Sequence, residues 1–174
     1  MSDRLVGSEM CIRDRNTTVL NILQKEDDTW FVETDKGVIE CEHVVSCSGN
    51  FARKTGEMVG LDIPVIPVEH QYIVTDPHPE ILERKKLGLP EQAVLRESDA
   101  GYYLREEAGG FILGPYEDGA PCCYVDGPSD DSEYELFNGD LDRLMPHVEA
   151  CMSRVPAFAE VGVKTIYNGA IAYT

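Results

Sequence analysis

From residue 18 onward, apolar positions fall in short clusters separated by charged or turn-forming residues, which is the pattern of β-structure. Residues 19–23 (VLNIL) form one run, 25–28 (KEDD) a charged turn, and 29–34 (TWFVET) a run rich in aromatic and β-branched side chains. Asp35, Lys36 and Gly37 supply a tight turn before residues 38–41 (VIEC) and 43–47 (HVVSC). The expectation is a small antiparallel meander followed by a buried strand over 44–47. That strand ends in small side chains and Gly49, where a helix should begin. Phe51, Thr55, Met58 and Val59 recur near helical spacing, so a helix is predicted over 51–60 with Gly60 at its end.

Pro64 and Pro67 make 61–67 an extended, stiff connection and mark a domain boundary. Beyond it a strand is expected over 68–75, broken by Pro77 and Pro79, then a short helix over 81–86. Short apolar runs at 93–96, 102–106 and 110–114, with turns at 98–101 and 107–109, predict an antiparallel sheet. An acidic loop over 117–133 gives way to a helix. Asp140 and Asp142 suit its cap and dipole, Pro146 its first turn, and Val148, Cys151, Met152 and Val155 its apolar face. Residues 163–174 read as a last strand. Residues 44–47 and 166–173 are expected to lack their parallel neighbours here and to expose sheet edges.

Composition narrows the function. A hydrophobic share of 43% in 174 residues is that of a globular protein able to bury a core. The net charge of −17, from 32 acidic and 15 basic side chains, disfavours nonspecific nucleic-acid binding and anionic membrane surfaces. No run approaches the roughly 20 apolar residues of a membrane helix, so no membrane insertion is expected. Residues 1–7 lack the apolar segment of a signal peptide. Residues 1–15 show no periodicity and are expected to be foreign to the fold or disordered.

The six cysteines, Cys11, Cys41, Cys47, Cys122, Cys123 and Cys151, contain no repeated CxxC at zinc spacing. Cys41 and Cys47 read as small buried hydrophobes. The vicinal Cys122 and Cys123 read as thiols in a reducing compartment. His43, His78 and His147 lack metal-ligand spacing, so no metal site is expected. Neither a GxSxG elbow nor an HExxH motif occurs.

The chemistry centres on residues 44–53 (VVSCSGNFAR) and 67–75 (PVEHQYIVT). Small residues at the carboxyl end of a strand let a flat ligand lie against the backbone. His70 and Tyr72 alternate with Gln71 and so share one face of their strand. These segments, with 29–34 (TWFVET), 101–105 (GYYLR), 114–117 (GPYE) and 140–147 (DLDRLMPH), occur in an order that resembles the FAD-dependent amine oxidoreductases of the dimethylglycine dehydrogenase and sarcosine dehydrogenase family. The resemblance covers residues 16–174.

This resemblance implies an α/β and α+β architecture, truncated at both ends. Part of a Rossmann-like FAD-binding domain would span 16–62, and an antiparallel-sheet substrate domain 63–162. Residues 163–174 would return toward the FAD domain. It implies FAD as cofactor, although no GxGxxG phosphate loop occurs in these residues and the family's covalent-flavin His would lie upstream. Val19 matches a position whose backbone meets the adenine side of FAD. Ser46, Cys47, Ser48 and Gly49 match the narrow strand end, and Phe51 a position usually held by Trp that packs on the cofactor. His70 would take the proton of an N-methyl ammonium substrate, and Tyr72 would orient the amine. Tyr103, Arg105 and Tyr116 are further substrate candidates. Arg105 could hold a carboxylate bidentately or pair with a surface acid.

Implied partners are a small N-methyl amine and an electron acceptor such as a flavoprotein. Tetrahydrofolate would act only through a separate C-terminal domain. The implied location is the mitochondrial matrix in a eukaryote and the cytoplasm in a bacterium. Two other readings stand beside this one. One is a non-catalytic relative resembling the pyruvate dehydrogenase phosphatase regulatory subunit, acting by protein interaction. The other is an oxidase that reacts directly with oxygen.

Overall fold

The computed structural model describes residues 13–173, so the expectation for residues 1–15 lies almost wholly outside the described residues. The chain divides into two compact units, Met1–Pro64 and Val65–Thr174.

In the first unit, β1 (Val19–Gln24), β2 (Trp30–Thr34) and β3 (Gly37–Cys41) form the expected antiparallel meander in the order β1-β2-β3. Local side chains set its turns. Asp27 accepts hydrogen bonds from the Thr29 hydroxyl at 2.6 Å and the Thr29 amide at 3.2 Å, which holds its carboxyl below the usual range. The Thr34 hydroxyl donates to the Gly37 carbonyl at 2.7 Å across the second turn.

Residues 44–47 are not a strand. Among the described residues none pairs with them, and Val45 is 81% exposed. The sequence has the apolar β-branched pattern of a strand, but a strand exists only through a neighbour's backbone groups. Cys41 is half-buried and Cys47 exposed, so neither is the buried hydrophobe expected. A 3-10 turn, Gly49–Phe51, leads into α1 (Ala52–Glu57), a shorter helix than predicted. Gly56 is required there, because a Cβ would come within 2.9 Å of the Leu61 carbonyl and closer still to Ile63.

In the second unit, β4 (Val68–Thr75), β5 (Leu95–Glu97), β6 (Tyr102–Glu107), β7 (Gly110–Pro115) and β8 (Val163–Ile171) form one antiparallel sheet ordered β5-β6-β7-β4-β8. The final strand pairs antiparallel with β4 from Val68↔Ile171 to Thr75↔Val163 and stands at the edge of the sheet. One face is covered by α2 (Pro79–Lys86), α3 (Leu141–Arg154) and a 3-10 segment, Pro156–Glu160. Ile73, Tyr102, Leu104, Phe111 and Leu113 from the sheet pack with Ile81, Leu144, Val148, Cys151 and Phe158.

Both helices in this unit are capped by side chains. His78 Nδ1 accepts from the Glu80 amide, which starts α2 at Pro79, earlier than expected. Asp140 accepts from the Arg143 amide at the head of α3, as the sequence suggests. Pro146 lies inside α3 rather than in its first turn. Its ring displaces the Asp142 carbonyl from the helical ladder, and both residues are exposed, so water can take that carbonyl. The packed stripe is Leu144, Val148 and Cys151, spaced four and three apart, while Met152 is 37% exposed.

Candidate functional site

Two places gather the residues singled out by the sequence, one in each unit.

In the first unit, the backbone at Gly49 has φ +55°, a left-handed conformation that favours glycine. Apart from its chain neighbours Ser48 and Asn50, no atom of the described residues lies within 4 Å of where a Cβ would stand there. The chain is therefore bare on that side and open to a flat molecule. Three hydroxyls beside it form a relay. Thr55 Oγ1 donates to the Phe51 carbonyl at 3.1 Å, so it must accept from Ser48 Oγ at 2.8 Å. Ser48 in turn accepts from Ser46 Oγ at 2.7 Å. Ser46 and Thr55 line a cavity of about 350 Å³ whose other walls include Ile22, Trp30, Val44 and Val59. Phe51 is half-buried at the turn. Val19, 40% exposed, begins β1 opposite Thr34 and does not line that cavity.

In the second unit, strand alternation divides the sheet cleanly. Gln71, Ile73 and Thr75 of β4 are buried on the covered face, and His70, Tyr72 and Val74 are half-buried on the other. That second face is aromatic. Tyr72 stacks on its cross-strand partner Tyr167 with ring centroids 5.1 Å apart. His70 lies 6.0 Å from Tyr116 and 6.2 Å from Tyr173. Tyr103 is 6.2 Å from Tyr116 and lies across Gly114, where a Cβ would fall inside its ring. His70, Tyr116 and Tyr173 share a cavity of about 320 Å³ with Glu69, Glu117 and Asp118.

Burial lowers the pKa of His70, and the nearby Glu117 carboxylate partly opposes this. Its imidazole is thus kept neutral near pH 7 and able to accept a proton. Burial raises the phenol pKa of Tyr103 and of Tyr173, so both remain hydroxyl donors.

A polar clasp on the covered face fixes the acidic side of this cavity. Gln71 is fully buried; its Oε1 accepts from the Asp140 amide at 2.6 Å and its Nε2 donates to the Asp140 carbonyl at 3.3 Å. Asn168, also fully buried, donates to the Asn138 carbonyl and to Glu69, each at 2.9 Å. These bonds seat the head of α3, from which Arg143 reaches Glu69 and Glu117 at 2.8 Å each. The Asn168 bond, followed by Arg143, holds the Glu69 carboxyl below its usual range despite burial.

His70, Tyr72, Tyr103 and Tyr116 are therefore on one face or its rim. Arg105 is engaged elsewhere, with Glu107 at 2.7 Å and the Glu106 carbonyl at 3.2 Å. Sequence reasoning missed Arg96, Tyr167, Tyr173, Glu117 and Arg143. Arg96 stands opposite Tyr103 in the β5–β6 hairpin and donates to the Tyr116 hydroxyl at 3.2 Å. The turn at 98–101 is legible in the sequence, and counting back across it places Arg96 beside the tyrosines. The other four depend on pairings between distant segments.

The profile of the DAO family, FAD dependent oxidoreductase, matches residues 15–174. The chain is 39% identical to the mitochondrial dimethylglycine dehydrogenase of Rattus norvegicus over 161 residues, 90% of this chain and 18% of that protein. It is 33% identical to the mitochondrial sarcosine dehydrogenase of Mus musculus over 143 residues, 82% of this chain and 14% of that one. A solved L-proline dehydrogenase from P. horikoshii superposes with a TM-score of 0.64 at 24% identity, covering 91% of this chain and 38% of that one. That likeness concerns the fold. The chain thus spans less than a fifth of the length of these two curated relatives.

Proposed function

The chain belongs to the FAD-dependent oxidoreductases of the DAO family, and on that premise we propose that it is a segment of an enzyme that oxidises an N-methylated glycine such as dimethylglycine or sarcosine. The observation that carries this reading is the aromatic face around His70. It offers a neutral imidazole, stacked phenols and a neighbouring acidic wall, which together suit a substrate that arrives as a methylated ammonium ion.

Such an amine must lose its proton before a hydrogen can leave its N-methyl carbon. His70 is the proton acceptor in this reading. Its unprotonated state is favoured by its half-buried position, and Glu117 stabilises the imidazolium formed on transfer. Tyr116 and Tyr173 present ring faces and edges to the cation, and Tyr72, locked by Tyr167, borders the same face. Arg143 holds Glu117 and Glu69 in place without entering the cavity wall itself.

The bare backbone at Gly49 fits a flat cofactor, and Gly49, Ser46 and Phe51 are the residues that would meet FAD. FAD supplies the acceptor for the two electrons and hydrogen that the amine gives up. The electrons would pass on to a partner such as an electron-transfer flavoprotein. The reading carries a mitochondrial location in a eukaryotic source and a cytoplasmic one in a bacterium.

The test is anaerobic addition of dimethylglycine or sarcosine to the full-length, FAD-loaded protein. Bleaching of the flavin band is expected, with a bell-free fall in rate at low pH that His70→Gln abolishes. A full-length protein that binds no FAD would point instead to the regulatory reading. One that binds FAD but is not reduced by either amine would reject this substrate class.

A further inference from the structure

We infer that Arg96 anchors the carboxylate of the substrate, with Tyr116 as the strut that aims it. This inference rests on the amine-oxidising reading and adds a second point of attachment to it. An N-methylglycine carries a cation at one end and a carboxylate at the other. The cavity at His70 is walled by Glu69, Glu117 and Asp118; the single Arg143 charge that bridges the first two leaves the wall net negative, so it would repel the anionic end. A cation outside that acidic wall is therefore needed to orient the molecule.

Two arginines occupy neighbouring strands on this side of the sheet. Arg105 is matched to Glu107 at 2.7 Å and also donates to the Glu106 carbonyl, so its charge is spent locally. Arg96 makes a different use of its guanidinium. It donates through Nη1 to the Tyr116 hydroxyl at 3.2 Å, and its Cζ lies 5.9 Å from the centre of that ring. A phenol positions the group but does not neutralise it. Among the described residues no carboxylate pairs with Arg96. Five N–H donors in a planar fork leave ample capacity for a bidentate carboxylate. Tyr116 is also 6.0 Å from His70 and 6.2 Å from Tyr103, so one ring borders both the acidic cavity and the Arg96 guanidinium. The arrangement fixes a direction: ammonium toward His70, carboxylate toward Arg96.

Steady-state kinetics on the full-length FAD-loaded protein test this with R96Q, R96K and Y116F. For R96Q the KM for dimethylglycine should rise roughly 10- to 100-fold, the loss of a charge-assisted pair, while kcat changes little. R96K should recover part of that loss, since it keeps the charge and lacks the fork. Y116F should give a smaller rise in KM. In parallel, the Arg96 Nε–H resonance of the protein should move on titration with dimethylglycine and stay still with N,N-dimethylethylamine, which has the same amine and no carboxylate. An R96Q enzyme with wild-type KM overturns the inference while leaving the amine-oxidising reading intact. So does a KM rise in R105Q with none in R96Q, or an Arg96 signal that ignores dimethylglycine. If R96Q fails to fold, R96K and the resonance decide alone. A wild-type enzyme whose flavin no N-methylglycine reduces removes the reading and this inference with it.

Discussion

The two units obey the same local rules and reach different ends. Each contains antiparallel strands with side-chain-fixed turns. In Val65–Thr174 the alternation of β4 and β6, with the wholly buried β7 between them, meets two helices, and ten apolar residues close into one core. In Met1–Pro64 the alternation of the meander buries Ile22, while Leu20 and Val38 are each 60% exposed. Pattern alone does not make a core; a covering layer does. The first unit therefore presents bare backbone and exposed apolar side chains, and the second presents a rigid platform with one chemically distinctive face.

This contrast can be broken by truncation mutants. Leu144→Ala, at a position with no exposure, should cost about 2–5 kcal/mol of stability in urea unfolding. Leu20→Ala should change it by no more than about 0.5 kcal/mol. Equal losses would show that the meander carries a core of its own. Two glycines sharpen the point at smaller scale. Gly114→Ala must push the Tyr103 ring off β7, at about 1–3 kcal/mol and with a changed tyrosine NMR signature. Gly49→Ala meets no neighbour and should lose only about 1 kcal/mol, from its left-handed backbone. Thermal unfolding compares the two directly, and a costlier Gly49 substitution would contradict the open corner.

The smallest effect is a titration. Glu117→Gln removes the carboxylate that stabilises charged His70, so the His70 pKa, already lowered by burial, should fall further in an NMR titration. An upward shift would contradict the geometry. The same depression links to stability: the unfolded chain binds a proton on His70 at a pH where the folded chain does not. The contribution of neutral His70 is thus complete above the unfolded pKa and is lost as pH falls toward the folded one.

Most of the second unit could be read from its residues. Alternation over 68–75 gives β4 at its observed limits, and the turns around 98–101 and 107–109 define β5, β6 and β7 to within two residues. The shared face of His70 and Tyr72 follows from the two-residue period alone. What could not be read depends on partners distant in the chain. Residues 44–47 have a strand's composition without a strand's neighbour. Tyr167 reaches Tyr72 only because β8 takes one particular register on β4. Pro146 is tolerated inside α3 because its side of the helix faces water. Arg96 was within reach of a count across a hairpin, whereas the hold of Arg143 on Glu69 and Glu117 requires the folded clasp of Gln71 and Asn168.

The hydroxyl relay beside Gly49 has a polarity, and with it a selectivity. Each proton in the chain Ser46, Ser48, Thr55 is already committed inward, toward the Phe51 carbonyl. The outermost oxygen, Ser46 Oγ, has only lone pairs left to give, so a visitor that bonds to it must bring its own hydrogen: an amino or amide edge suits that hydroxyl, and a bare phosphate oxygen does not.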